Sequence, residues 1–521
     1  MEGNRPRRGG RHMGPPGMGG GEKAKDFKGT ISKLVRYSRK YLPAVIVVMV
    51  IAVFSTVFNV VCPKVLGKAT TALSEGIMRK INGIGGIDFT YIGKILLFCM
   101  GLYLLSVLFN FTQGIIMTGV TQKLCYKMRK DVSEKINRMP LKYFESRTYG
   151  EVLSRITNDI DTMGNGLNQS ITQLITSVST VIGVFIMMLT ISPLMTMIAI
   201  IILPISVALM GIIIKKSQRF FKQQQEYVGH INGQVEEVYG GHTVIKAFNK
   251  EETTLKEFHE TNEVLYKSAW KAQFFSGLMQ PVMMFVGNLG YVGVAISGAA
   301  LAIRGTITIG DIQAFIQYVK NFTQPIQQVA QVTNMMQQMA AAAERVFELL
   351  EEEEEVQVVE HPASVEDIKG EVDFRHVKFG YDPEKIIIHD FSVHVDPGKQ
   401  VAIVGPTGAG KTTMVKLLMR FYDVNEGAIL LDGHNVKEYN RRELRDALGM
   451  VLQETWLKAG TIRENIVMGK PDATEEEIIA AAKAAHSYGF IKRMSNGFDT
   501  VIGEDGGSLS QGQKQLLCIT R

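Results

Sequence analysis

The chain has 521 residues, of which 46% are hydrophobic and 21% charged. That mixture excludes a single soluble domain and points to a membrane part joined to a soluble part. A net charge of +6 is modest for this length and excludes the concentrated basic surface of a nucleic-acid-binding protein. Cys62, Cys99, Cys125 and Cys518 are scattered without C-x-x-C spacing, which excludes a disulfide framework and a zinc site.

Residues 1–26 begin MEGNRPRRGGRHMGPPGMGGG. A segment so rich in Gly, Pro and Arg buries no apolar surface and is predicted to be disordered. Arg5, Arg7, Arg8 and Arg11 offer a contact to anionic lipid, although a plain solvated tail explains them as well. The segment lacks the apolar core of a signal peptide.

Apolar stretches of spanning length follow at 43–62, 95–117, 170–191, 194–214 and 277–303. Each can cross the roughly 30 Å of hydrocarbon in a bilayer. Ser192-Pro193 splits the third from the fourth and predicts a very tight turn. A sixth candidate, 311–340, reads QAFIQYVKNFTQPIQQVAQVTNMMQQ through its middle. Polar groups are costly in lipid, so such a span is expected to face protein or an aqueous path; a cytosolic amphipathic helix is the alternative. Lys123, Arg129, Lys130, Lys215, Lys216 and Arg219 sit in the long segments 121–166 and 215–273, while the connection near 303 carries only Arg304. The positive-inside rule therefore places the N-terminus and both long segments in the cytoplasm, with Lys64, Lys68, Arg79 and Lys80 as a mild dissent. Those long segments read as helical extensions of the spans, interrupted at Gly240-Gly241.

Near residue 351 the chain changes character. Glu351 to Glu355 form a charge run, expected to be a solvated linker or helix end within an acidic linker over 346–369. EVDFRHVKFGY alternates as a strand does. VAIV (401–404) is predicted to be a buried strand, followed by GPTGAGKT, Gly405 to Thr412, and then by MVKLLMRF at helical spacing. Strand, glycine loop and helix form the context of a phosphate-binding loop. Gly405, Gly408 and Gly410 let backbone N–H groups turn toward phosphate oxygens, and the helix start adds its positive end. Lys411 is expected on the β- and γ-phosphates, Thr412 on Mg²⁺, and Thr413 as an extra phosphate contact.

With six spans and a P-loop domain in one chain, residues 27–521 resemble a half-transporter of the ATP-binding cassette (ABC) exporter family, multidrug or lipid type. The resemblance implies an all-α six-helix transmembrane domain over 27–345, of the type IV exporter fold. An α/β P-loop nucleotide-binding domain over 370–521 follows it. YFESRTYGEVLSRITNDID and GGHTVIKAFNKEE resemble the family's two intracellular loops, whose coupling segments would lie near 148–160 and 240–246. Tyr381 in VKFGYDP stands where the family keeps an aromatic that stacks on adenine. Gln453 in GMVLQETWLKAGTIRENI stands for the Q-loop glutamine that positions Mg²⁺ and the attacking water. The implied nucleotide cradle adds Thr407, Gly408, Ala409 and Gly410 to the residues named above. TVIGEDGGSLSQGQKQ resembles the exporter X-loop, with Glu504, followed by the signature motif. There Ser510, Gly512 and Gln513 would clasp the γ-phosphate of ATP held by another chain.

The family signature is L-S-G-G-Q, and here Gln511 replaces its first Gly. That departure occurs in heterodimeric exporters, so a different but related partner chain is expected. The family's Walker B Asp, catalytic Glu and switch His follow the signature. The sequence is therefore read as truncated, with no residue nameable as general base.

The resulting expectation is ATP-driven export of amphipathic small molecules, drugs or lipids, by a multi-pass plasma-membrane dimer that uses ATP and Mg²⁺. An ATP-gated, non-hydrolysing channel or regulatory module on the same scaffold is the alternative. Cargo-facing candidates are Gln313, Gln317, Tyr318, Gln324, Gln327, Gln328, Met335 and Met336, with Met283, Met284 and Asn288. Met-rich surfaces adapt to varied apolar ligands, but packing between helices explains the same methionines.

Overall fold

The computed structural model describes residues 24–521 apart from Asp367, Pro383, Thr407, Leu452–Glu454, Glu504, Asp505 and Ser508, and apart from the side chains of Ile202, Leu203, Val207, Thr323, Ile326, Gln327 and Ala330. Residues 1–23 of the expected disordered tail lie outside that set. The chain divides into two compact units. One is helical and comprises the described residues up to Arg138 together with Arg147–Glu352; the other comprises Met139–Ser146 and Glu353–Arg521.

The helical unit opens with α1 (Phe27–Tyr37), whose N-cap Asp26 accepts from the Gly29 N–H. Long helices follow as α2 (Leu42–Ile81) and α3 (Phe89–Ile136). The short α4 (Leu141–Glu145) belongs to the second unit. The chain returns through α5 (Tyr149–Ser154) and a π turn at Arg155–Asp159 into α6 (Ile160–Ile191). Ser192 then caps α7 (Pro193–Gly240), its side chain accepting from the Met195 N–H. A proline in the first turn gives up an N–H that has no intrahelical partner anyway, so the predicted tight turn forms between two spans. At Gly241 the chain breaks into α8 (His242–Ala247), then runs on as α9 (Glu251–Ile303) and α10 (Ile309–Glu351).

α2, α3, α5 through α6, α7 and α9 are long and apolar enough to cross a membrane. α10 is too polar to pass that test alone, but it packs within the same core. Its Ala314, Phe315, Tyr318 and Phe322 are buried with Val60 of α2, Val184 and Met188 of α6, Met195 of α7 and Val294 of α9. Small residues set the closest approaches, as expected where lipid supplies no hydrophobic drive between helices. A Cβ on Gly310 would lie 1.8 Å from the Gly67 carbonyl oxygen, and one on Gly166 would lie 2.6 Å from the Met339 Cβ. The π turn is held by Asp159, which is 4% exposed. Its carboxylate accepts from Arg345 Nε at 3.0 Å and Nη2 at 2.5 Å, the pairing that a buried charge requires.

The second unit contains a four-stranded antiparallel sheet of order β2-β1-β3-β4, formed by β1 (Val372–Phe379), β2 (Ile388–Val395), β3 (Glu426–Leu431) and β4 (His434–Asn435). Phe374, Val377 and Phe379 of β1 turn into a core with Ile388, Ile429 and Leu431. α11 (Lys411–Leu418) covers that core with Met414 and Leu417, and α12 (Arg441–Asp446) adds Leu444. A smaller cluster gathers β5 (Gly460–Thr461), α13 (Ile462–Ile466), α14 (Glu475–Ala484), α15 (Tyr488–Ile491), β6 (Val501–Ile502) and α16 (Gln511–Thr520) around Ile462, Ile478, Ile491 and Leu517.

One expectation is corrected here. Residues 401–404 form no strand, and Val401, Ile403 and Val404 are 57%, 48% and 87% exposed. A strand needs a neighbour to complete its hydrogen-bond ladder, and no described strand pairs with this segment. The run Glu351–Glu355 marks the expected helix end, with Glu351 the last residue of α10 and Glu352 its C-cap, and its last member is also paired. Glu355 is ion-paired to Arg445, its side chain only 8% exposed. Beyond it Arg441 Nε donates to the Val356 carbonyl at 3.0 Å, and the Val359 N–H donates to Asn440 Oδ1 at 3.0 Å. Residues 355–359 of the linker are thus laid against α12.

Candidate functional site

α11 begins immediately after Gly410, which has φ +87°, and Gly408 has φ +89°. Side chains with a Cβ rarely adopt this backbone region, and glycine makes the sharp turn possible. Among the described residues no side chain caps the helix start at Gly410. Such an N-terminus is a ready anion site. Lys411 Nζ lies over the loop, donating to the carbonyls of Gly405 and Pro406 at 2.9 Å each. A flexible ammonium parked on two carbonyls can exchange them for stronger, charge-assisted bonds to phosphate. Thr412 is exposed and Thr413 buried. Glycine curl, uncapped amides and mobile ammonium fit a polyphosphate; Thr407 lies outside the described residues.

The fold brings Tyr381 to this helix. Its hydroxyl lies 3.1 Å from Thr413 Oγ1, and its ring meets Phe379 and Tyr422 edge-on at 5.1 and 5.0 Å. Lys416 Nζ stands 5.9 Å over the same ring. These residues tie the end of β1 to the face of α11, so the aromatic and the glycine loop share one neighbourhood.

Lys416 also reaches a residue that the sequence did not single out. Its ammonium lies 2.6 Å from Glu145 Oε1, and the Tyr422 hydroxyl donates to the other carboxylate oxygen at 2.5 Å. Burial alone would raise the Glu145 carboxyl, but the Lys416 and Tyr422 hydrogen bonds outweigh it and hold the group below the ordinary range. Burial and the adjacent carboxylate push the Tyr422 hydroxyl far up. Glu145 ends α4, so Met139–Ser146 is the segment grouped with the second unit. The expected coupling stretch at 148–160 begins just after it and lies in the helical unit. The signal in the sequence was Pro140, which breaks the long helix and starts α4.

Ser510 is the N-cap of α16, as its residue type suggests. Its hydroxyl accepts from the Gln513 N–H, and the Gln513 side chain accepts from the Ser510 N–H at 2.9 Å. Gly512 is exposed, and a Cβ placed there would meet nothing within 4 Å. Gln511 donates to Thr455 Oγ1 at 3.0 Å, a contact that the glycine it replaces in the family pattern could not make. Among the described residues no hydrogen bond joins 510–513 to the 405–413 loop. Gln453 and Glu504 lie outside the described residues, and no group of three or more His, Cys, Asp or Glu among the described residues is placed to hold a metal.

Of the cargo candidates, Tyr318 is withdrawn. It is fully buried and donates its hydroxyl to the Val60 carbonyl at 2.7 Å, so it locks α10 to α2. Gln328 accepts from Ser177 at 3.1 Å. Gln313, Gln317 and Gln324 lie on an exposed face of α10. Met335 and Met336 are half-buried, Met284 is 62% exposed, and the side chain of Gln327 is not described.

Comparison with known proteins agrees with this architecture. The model of the ABC transporter transmembrane region matches residues 45–326, and that of the ABC transporter domain matches residues 388–521. Fatty acid ABC transporter ATP-binding/permease proteins of Mycobacterium bovis and Mycobacterium tuberculosis are 39% identical, over 97% of this chain and 84% of theirs. An ATP-dependent lipid A-core flippase of Desulfotalea psychrophila is 31% identical, over 90% of this chain and 82% of its own. A helical membrane region followed by a cassette with a glycine loop and a capped signature helix makes this chain a multi-pass membrane protein and an ATP-hydrolysing member of the ABC transporter family, of the half-transporter exporter type.

Proposed function

We propose that this chain exports amphipathic small molecules, lipid-like rather than strongly polar, as one subunit of a dimer whose second chain is related but different. The observation that carries the cargo reading is the face of α10 bearing Gln313, Gln317 and Gln324, set on a helix whose other face is buried in the apolar core. The names of the relatives, fatty acid transporter and lipid flippase, support the same class. The unequal pair rests on Gln511.

ATP, when bound, supplies the phosphoanhydride bond whose cleavage drives the cycle. In this reading Lys411 and the amides of Gly408, Ala409 and Gly410 hold the phosphates, and Thr412 and Gln453 position Mg²⁺. Thr413 adds a phosphate contact, and Tyr381 supplies the adenine-facing aromatic. Ser510, Gly512 and Gln513 serve the nucleotide of the partner chain. The cassette and the N-terminus face the cytoplasm of a plasma-membrane protein, as the distribution of Lys and Arg favours.

Lys411→Ala tests the assignment. It should weaken nucleotide binding at this chain's own site by at least tenfold, the loss of about one charge-assisted contact, measured by equilibrium binding of a fluorescent ATP analogue. Unchanged binding there would contradict it. For the transport reading, ATP-dependent accumulation of an amphiphile in inverted vesicles is the readout, and flux that needs no ATP would sink it.

A further inference from the structure

Where the apolar stretch of α3 gives out at 117 and that of α6 begins at 170, the two helices leave a polar hollow of about 40 Å³ between them. Thr118, Thr121 and Gln122 line it from α3, and Asp161, Asn165 and Asn168 from α6. Within each set the positions recur at three- and four-residue spacing, so each set is one helix face. Cys125 and Gly164 complete the lining and join the two faces. A Cβ on Gly164 would lie 2.6 Å from the Cys125 sulfur, and Cys125 Sγ donates to the Ile160 carbonyl at 3.7 Å. One turn beyond Cys125, Arg129 is ion-paired to Asp161. The rim residues Thr118, Gln122, Asp161 and Asn165 are exposed, while Thr121, Cys125 and Gly164 are buried.

That buried side holds a polar atom in need of a partner. Thr121 is 4% exposed, and its hydroxyl oxygen makes no hydrogen bond among the described residues. Thr56, Thr112, Thr180 and Thr196 of the same helical unit each donate to the carbonyl four residues back, the usual outlet for such a hydroxyl in a helix. Two further buried oxygens without a partner among the described residues, Gln113 Oε1 and Ser170 Oγ, lie on the same two helices within two turns of the lining. Buried oxygens of this kind are costly unless something else pairs with them.

We infer that this hollow binds one small monovalent cation, of the size of Na⁺ or K⁺. Hydroxyl, amide and carboxylate oxygens are hard ligands, which suit alkali and alkaline-earth ions rather than soft transition metals. A single carboxylate, already shared with Arg129, is too little charge for a divalent ion, whose protein sites gather several. The volume of about 40 Å³ has room for about three water-sized groups, an ion with its last waters, at roughly 10–15 Å³ each. It has none for a ring or a bulky headgroup. The ion takes the Thr121 oxygen from the buried side and the Asp161 carboxylate from the rim, so it bridges α3 and α6. At the end of the spans the local dielectric constant is below that of water, which strengthens each ion–oxygen contact. The exposed rim lets the ion exchange with solvent. This inference does not depend on the export reading.

The test uses the full-length transporter, assembled with its dimer partner in phosphatidylcholine nanodiscs, at constant ionic strength. NaCl and KCl are titrated against N-methylglucamine chloride, whose cation is too large for the hollow. The unfolding midpoint should rise saturably with Na⁺ or K⁺, and amide exchange should slow at 118–125 and 161–168 together. Thr121→Val keeps the shape and removes the hydroxyl. It should raise the half-saturating concentration about tenfold, the loss of one contact to a charged group. In N-methylglucamine the same variant should be at least as stable as wild type, because a buried orphan hydroxyl is gone. Asp161→Asn should lose the ion effect, whereas Arg129→Gln, which frees the carboxylate, should keep or tighten it. Equal loss in those two variants would assign the pair a purely structural role and overturn the site. So would equal midpoints in all three salts, or an ion effect that survives both Thr121→Val and Asp161→Asn; the hollow would then hold water alone. Stabilisation by phosphatidylethanolamine nanodiscs with none by Na⁺ or K⁺ would overturn the alkali ion in favour of a lipid ammonium.

Discussion

The hydroxyl of Ser510 and the carboxamide of Gln513 satisfy each other's backbone N–H groups at the start of α16. The capping box thereby fixes where the helix begins, and with it the position of exposed Gly512. Ser510→Ala should cost about 1 kcal/mol of local helix stability, read as faster amide hydrogen exchange over residues 511–514; unchanged exchange would show that packing of Leu517 and Thr520 alone sets the start. Gln511→Gly removes the hydrogen bond to Thr455 and restores the family pattern, so it separates the effect of that bond from the effect of the cap. Residue types were legible in these motifs because each one answers a local need: a glycine for positive φ, a hydroxyl for an orphan N–H. Tyr318 was misread for the same reason. Its phenol looked like a polar handle for cargo, and only the position of Val60 on another helix shows that the handle is already in use.

At the scale of elements, backbone contact decides where α2 meets α10. Gly67 and Gly310 sit carbonyl against Cα, and Gly310 also donates its N–H to Thr71 Oγ1 at 3.1 Å. Gly310→Ala must push the helices apart; overpacking of this kind typically costs about 1–3 kcal/mol. A lower unfolding temperature in detergent, with the wild-type value kept by the distant Gly211→Ala, is the expected outcome, since a Cβ at Gly211 meets nothing within 4 Å. α4 offers a pH test. The Glu145 carboxyl is held below its ordinary value of 4.5, so its contribution to the docking of Met139–Ser146 is complete above that value. It is lost as pH falls through the depressed folded-state value. Glu145→Gln should flatten this acid dependence in proteolysis or hydrogen exchange at 139–146, and Lys416→Met should do so too. An acid profile identical to wild type in both variants would assign the docking to buried Tyr143 instead. The spans, the Ser192-Pro193 turn and the Gly240-Gly241 break were readable because length, apolarity and helix-breaking residues are local signals. The transfer of 139–146 to the other unit was not, because it depends on Lys416 and Tyr422, far away in the chain.

For the molecule as a whole, the signature helix and the glycine loop make no hydrogen bond to each other among the described residues. Affinity purification of the full-length chain should recover a second, related ABC subunit, and reconstitution with it should raise ATP turnover above that of either chain alone. A stable homodimer with full turnover would remove the unequal-pair proposal. The sequence by itself determined the division into membrane and cassette parts, the number of the long apolar helices, the glycine loop and the capped signature. Each of these follows from hydropathy over one helix length or from chemistry within a few residues. Only the tertiary structure decided that α10 is a core helix despite its glutamines, that VAIV stays exposed, and that the acidic linker is clasped by Arg441 and Arg445. Those outcomes depend on which side chains from distant segments arrive to bury a surface, complete a ladder or neutralise a charge, and no local pattern encodes who arrives.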